Sequence, residues 1–181
     1  MSSYAAAKIT LDIALYDRLV KFFDGTLPAG IKEVIDLANG TSDGLNCDLV
    51  YGITETGKAA SSTTEYDLAG SLTDINGNVI TFKEVCLIAL RNKRTTAGAY
   101  LLFGPSAANG FGLTGPWNSA LAAGGERVGP AYSSTQGSWV VHYDATGFAV
   151  TAGTADKLSV TCAAVAGDTY TWDLVVIGRS T

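Results

Sequence analysis

The stretch TDINGNVITF, Thr73 to Phe82, sets Asp74, Asn76 and Asn78 at alternate positions, the spacing at which a calcium loop presents its first, third and fifth oxygen ligands. Such a loop also needs Gly at its sixth position, for the sharp turn, and a bidentate Glu at its twelfth. Here those positions are Val79 and Val85. The turn and the strongest ligand are both missing, so the stretch reads instead as a hairpin corner. Asn76-Gly77 would form the centre of a two-residue type I′ turn, with Leu68 to Leu72 and Val79 to Leu90 as its strands.

Hydrolytic chemistry needs a nucleophile, a base and a group that orients the base. The single histidine, His142, lies in WVVHYD, where strand alternation puts it on the face of Val140; it is read as a structural or exposed strand residue. GPSAANG departs from the nucleophile-elbow pattern and lacks its strand-to-helix setting. No glycine-rich phosphate loop is present. Asp67, Asp74, Glu84, Asp144, Asp156, Asp168 and Asp173 could include a glycosidase-type pair. Most of them adjoin Gly or Thr at expected strand ends, where Asp caps turn amides. The chain is therefore expected to be no enzyme and to carry no cofactor, catalytic residue or metal.

Cys47, Cys86 and Cys162 are odd in number and widely separated, with no CxxC pair. Cys86 in VCLIAL and Cys162 in SVTCAAV read as buried thiols of a reducing compartment rather than disulfides or zinc ligands. A net charge of −5 opposes a broad nucleic-acid face, and only Arg91 to Arg94 resembles a basic patch, read as a solvated strand end. MSSYAAAKIT has no long apolar segment and no run approaches a membrane span, so synthesis in a cytoplasm is expected, without membrane association. The residues are 47% hydrophobic and only 16% charged, which suggests that part of the surface is covered by a partner.

The elements that would position these residues are almost all strands. Residues 10–24 alone carry a helical period: Ile13, Tyr16, Val20 and Phe23 form a stripe, widened by Leu15, Leu19 and Phe22, with Asp17, Arg18, Lys21 and Asp24 opposite. Thr10 or Asp12 would cap it and Gly25 would end it. It would cover one end of the core or dock on another subunit, and an extended arm is a further alternative. From Ile31 onward the period is that of strands, at about 31–37, 47–55, 64–72, 79–91, 98–103, 126–132, 138–143, 147–151, 157–163 and 168–177. Glycine-centred turn signals separate them, and the Gly-rich stretch from Gly104 to Gly125 reads as a surface excursion that holds Trp117. Short strands at regular spacing predict an all-β fold: an antiparallel, jelly-roll-like β-sandwich over residues 31–181, with a helical or extended N-terminal arm over residues 1–30.

Trp117, Tyr132, Trp139, Tyr143, Tyr170 and Trp172 are large rings that could stack on sugars or anchor a core. Carbohydrate binding by a tail or adhesion component is therefore the alternative functional class.

Two segments resemble a known family. EYDLAGSLTDINGNVITFKEVCLIALRN, Glu65 to Asn92, resembles a DLAGSLTD block in small virion proteins of tailed bacteriophages. GFAVTAGTADKLSVTCAAVAGDTYTWDLVVIGRST, Gly147 to Thr181, is similar to the closing block of the same proteins. The chain departs from the pattern at Asn76, where an aromatic or small residue is expected, and the Tyr16 to Phe23 segment has no counterpart there. The resemblance implies a β-sandwich decoration or cement protein on the outer head surface. Such a protein would clamp neighbouring copies of the major capsid protein and act as a homotrimer at local threefold positions. Leu15, Tyr16, Leu19, Phe22, Phe23 and Trp117 are the expected subunit or capsid contacts.

Overall fold

The computed structural model describes residues 8–13, 31–36, 38–44, 46–74, 76–112, 126–130 and 138–180, with the side chains of 8–13, 31–36 and 139 left aside. Its strands are β1 (Lys8–Ile13), β2 (Ile31–Asp36), β3 (Ala38–Asn39), β4 (Asn46–Cys47), β5 (Leu49–Ala59), β6 (Thr63–Asp67) and β7 (Leu72–Thr73). They continue with β8 (Val79–Ile80), β9 (Glu84–Asn92), β10 (Leu101–Pro105), β11 (Glu126–Val128), β12 (Ser138–Ala149), β13 (Lys157–Cys162) and β14 (Thr169–Arg179). The fold is all-β, and the described residues contain no helix.

Two four-stranded antiparallel sheets form the body, one in the order β12-β9-β14-β5 and the other β11-β10-β13-β6. Alternation in the sequence dictates which side chains meet. In β13, KLSVTC, Leu158, Val160 and Cys162 are buried while Lys157, Ser159 and Thr161 are partly exposed. In β14, Tyr170, Trp172, Leu174 and Val176 point inward, where they join Ile88 and Leu90 of β9, Leu101 and Phe103 of β10 and Tyr66 of β6 in one core. Full burial of each such side chain contributes about 1.5–3 kcal/mol.

Glu65 to Asn92 and Gly147 to Thr181 pair with each other in both sheets. Within Glu65 to Asn92 lie most of β6 and all of β9, and β13 and β14 lie within Gly147 to Thr181; β6 pairs with β13, and β9 with β14. Loop bonds add to this, with Leu68 donating its amide to the Asp156 carbonyl at 2.8 Å and Lys83 to that of Arg179 at 2.8 Å.

Four expectations change. The expected strands 64–72 and 79–91 are each broken, into β6 and β7 and into β8 and β9. Residues 10–13, read as the start of a helix with an extended arm as the alternative, are extended: Thr10 and Asp12, the expected caps, pair with Val34 and Lys32 across the β1–β2 ribbon. The physical reason is legible in KITLDI, where Ile9, Leu11 and Ile13 alternate with polar residues, a strand period that a helical stripe starting at Ile13 hides. The expected strands 138–143 and 147–151 are largely one strand, β12, whose register on β9 jumps between Tyr143↔Leu87 and Phe148↔Val85. The Asn76-Gly77 corner is a hairpin between β7 and β8, but not a type I′ turn. Asp74 donates its amide to the Asn78 carbonyl and accepts from the Gly77 amide, both at 2.9 Å; Gly77 has φ +83°, whereas Asn76 does not have positive φ. A longer loop with one left-handed glycine replaces the two-residue turn.

Candidate functional site

Leu15, Tyr16, Leu19, Phe22, Phe23 and Trp117, the expected contacts, all lie outside the described residues, as does Tyr132. Tyr170 and Trp172 are fully buried in the core, which removes them from any sugar-stacking surface; Tyr143 is 45% exposed.

The chemically suggestive carboxylates are committed to partners inside the fold. Asp74 Oδ1 accepts from the amides of Asn76 and Asn78, each at 2.8 Å, so the carboxylate first weighed as a calcium ligand serves the loop's own backbone. Asp67 accepts from the Ala69 amide at 2.9 Å, and Asp144 from the Thr146 amide at 2.7 Å. The hydroxyl and amide of Thr146 hold the Asp144 carboxyl below its usual range. Asp156 accepts from the Gly153 amide, and Asp168 from Thr169 and Arg94. Asp173 takes the Thr54 hydroxyl at 2.8 Å and the Lys93 ammonium at 2.7 Å, with Arg91 at 3.9 Å. The Arg91 to Arg94 stretch is therefore an ion-paired strand end rather than a solvated one. His142 meets Glu126 at 2.6 Å and so joins β12 of one sheet to β11 of the other.

The outward face of the β12-β9-β14-β5 sheet differs in character. Its ladders align Val141, Ala89, Val175 and Gly52 in one row across the strands, and Tyr143, Leu87, Ile177 and Val50 in the next. Leu87 and Ile177 are buried together with Cys47 and Cys86 in a second apolar cluster, while Val50, Ala89, Val141 and Val175 pack against it half-buried. The following row is polar, with Arg91, Asp173 and Thr54 in register. Leu87 and Ile177 in the second row are already covered, so the half-buried first row and Tyr143 carry the exposure of this band.

The opposite rim of the band is closed by Arg179. Its side chain is fully buried on the outer face, one strand period beyond Ile177. Its Nε and one terminal nitrogen contact Glu84 Oε2, each at 2.6 Å. Nη1 donates to the carbonyls of Ser42 at 3.0 Å and Gly44 at 3.1 Å, and Nη2 to that of Thr146. Burial works against its charge, but the bond to Glu84 and the surrounding anionic groups more than offset this and keep the guanidinium protonated. Two glycines permit close approaches here, one to the guanidinium and one between β14 and β9. A Cβ on Gly147 would stand 2.7 Å from Nη2, and one on Gly178 would stand 2.1 Å from the Glu84 carbonyl oxygen. Sequence reasoning passed over Arg179; the available signal was an arginine in step with Asp173, Val175 and Ile177 along β14.

Comparison with known proteins finds no matching family model, no matching curated protein and no matching solved structure. Among the described residues, no group of His, Cys, Asp and Glu is placed to hold a metal ion. Polar groups among the described residues hold loops to sheets, and the large hydrophobic residues left exposed there are Val79 and Tyr143.

Proposed function

We propose that this chain is a structural virion protein of a tailed bacteriophage: a capsid decoration protein that binds the outer head surface and stabilises the shell. In this reading the two sheets are the halves of a jelly-roll-like sandwich, and the N-terminal segment is an arm that reaches a neighbour. Its partners are the major capsid protein and two further copies of itself. The protein is made in the host cytoplasm and ends on the capsid surface.

The observation that carries the reading is the half-buried apolar row of Val141, Ala89 and Val175, with the exposed Tyr143 beside it, on the outward sheet face. A cement protein acts by burying its own surface on the assembled shell and stabilises that state by mass action. Two supports stand beside it. The segments that resemble the virion family pair with each other in both sheets. The β1–β2 ribbon forms its own two-stranded sheet, an element that is marginal in water unless a surface backs it.

Co-sedimentation with heads that lack the protein tests this. The wild-type chain should pellet with the heads, whereas Val141→Asp combined with Tyr143→Asp should stay in the supernatant with unchanged circular dichroism. Equal pelleting of the folded double variant would remove the band from the account.

A further inference from the structure

The outer-face cluster holds a pair of thiols far apart in sequence. Along β9 the ladder to β14 passes from Leu87↔Ile177 directly to Val85↔Gly178, and the ladder to β12 also skips from Leu87 to Val85. Cys86 is thus the extra residue of a bulge, without a ladder partner on either side. Over it crosses β4, whose Asn46 carbonyl lies 3.7 Å from the Cys86 sulfur. Cys47, the next residue, packs into the same cluster as Cys86. Both are free and buried, and Cys86 is wholly so.

We propose that Cys47 and Cys86 are a disulfide-forming site: a peroxide-class oxidant closes the bond and staples the segment carrying β3 and β4 onto the outer face of β9. One of the two thiols, as its thiolate, attacks one oxygen of hydrogen peroxide, the O–O bond breaks, and the departing hydroxide takes up a proton to become water, leaving a sulfenic acid. The other sulfur then attacks the sulfenic sulfur, the S–O bond breaks, and the hydroxyl leaves with the second thiol's proton as a second water. Two thiols are oxidised to one disulfide and one peroxide is reduced to two waters.

The bond would close a long loop, so the oxidised protein should melt higher by roughly 5–15 °C, reversibly with dithiothreitol. The test treats the intact wild-type chain with hydrogen peroxide, blocks remaining thiols under denaturant, and maps the peptides without reduction. The expected product is a Cys47-to-Cys86 peptide with Cys162 alkylated; Cys162→Ser should give the same cross-link, and Cys47→Ser should give none. Complete alkylation of all three thiols after treatment, a cross-link to Cys162, or Cys86 driven to sulfinic acid beside a free Cys47 would each overturn the proposal. Because the map is read on the wild-type chain, it does not depend on any variant folding.

Discussion

The indole nitrogen of Trp172, on the central strand β14 of one sheet, donates to the hydroxyl of Tyr66, on the edge strand β6 of the other, at 3.0 Å in the dry interior. It is a directional bond between two layers otherwise held together by apolar burial. Tyr66→Phe should cost about 1–3 kcal/mol, because it leaves a buried N–H unpaired. Trp172→Phe should cost about 2–4 kcal/mol, since it adds lost volume to the lost bond. The double variant should fall short of additivity by about 1 kcal/mol in urea unfolding. Strict additivity would mean that the bond carries no net coupling.

Arg179 should be the most sensitive charged position in the described body. Arg179→Ala strands Glu84 and several loop carbonyls and should cost about 3–5 kcal/mol. Arg179→Lys should recover only part of this, because an ammonium cannot reproduce the planar fork that serves Glu84 and the loop carbonyls together. Gly178→Ala, which would force a Cβ against the Glu84 carbonyl, should destabilise more than Gly70→Ala, where the added atom meets open space. Thermal melts of these variants decide the order.

Alkaline pH should unfold the protein cooperatively. Burial raises the pKa of Tyr51, Tyr66 and Tyr170 above the ordinary value of 10.0. A raised folded-state pKa means that the folded chain binds more protons than the unfolded chain between the two values. The stability these groups contribute is complete below pH 10 and is lost as the pH rises past it. Tyrosinate absorbance from these residues should therefore appear together with loss of circular dichroism; a smooth titration near pH 10 that precedes unfolding would contradict their burial.

At the corner between β7 and β8, Gly77→Ala should cost about 1–2 kcal/mol, because its φ of +83° is left-handed. Asn76→Ala should fall within about 0.5 kcal/mol, since Asn76 is not at positive φ. Equal losses at both positions would restore the two-residue turn. With Asp74 Oδ1 held by two backbone amides, calcium and chelator should leave the melting temperature unchanged.

The strands were legible because the chain alternates cleanly where one face is buried, as in KLSVTC and TYTWDL, and because glycine marks the turns between them. Less legible was anything that depends on long-range register. The bulge at Cys86 exists only relative to β14 and β12, so neither the approach of Cys47 nor the long continuous β12 could be read from local sequence. Arg179 looked like the polar tail of a strand, since its acceptors lie far away at Ser42, Glu84 and Thr146. The apolar outer band escaped notice for the same reason: Val141, Ala89 and Val175 become neighbours only after the strands pair. Between the helical and extended readings of the N-terminal segment the sequence did not decide, because a short alternating run and the start of a helical stripe overlap at Ile13.

The central claim is that this protein coats a capsid, and electron cryomicroscopy of the virus particle that carries it tests that claim most directly. The account predicts trimeric density of this fold at local threefold positions on the outer head, with the Val141, Ala89 and Val175 face against another subunit. Particles without such density on the head, or density of this fold confined to the tail, would contradict it.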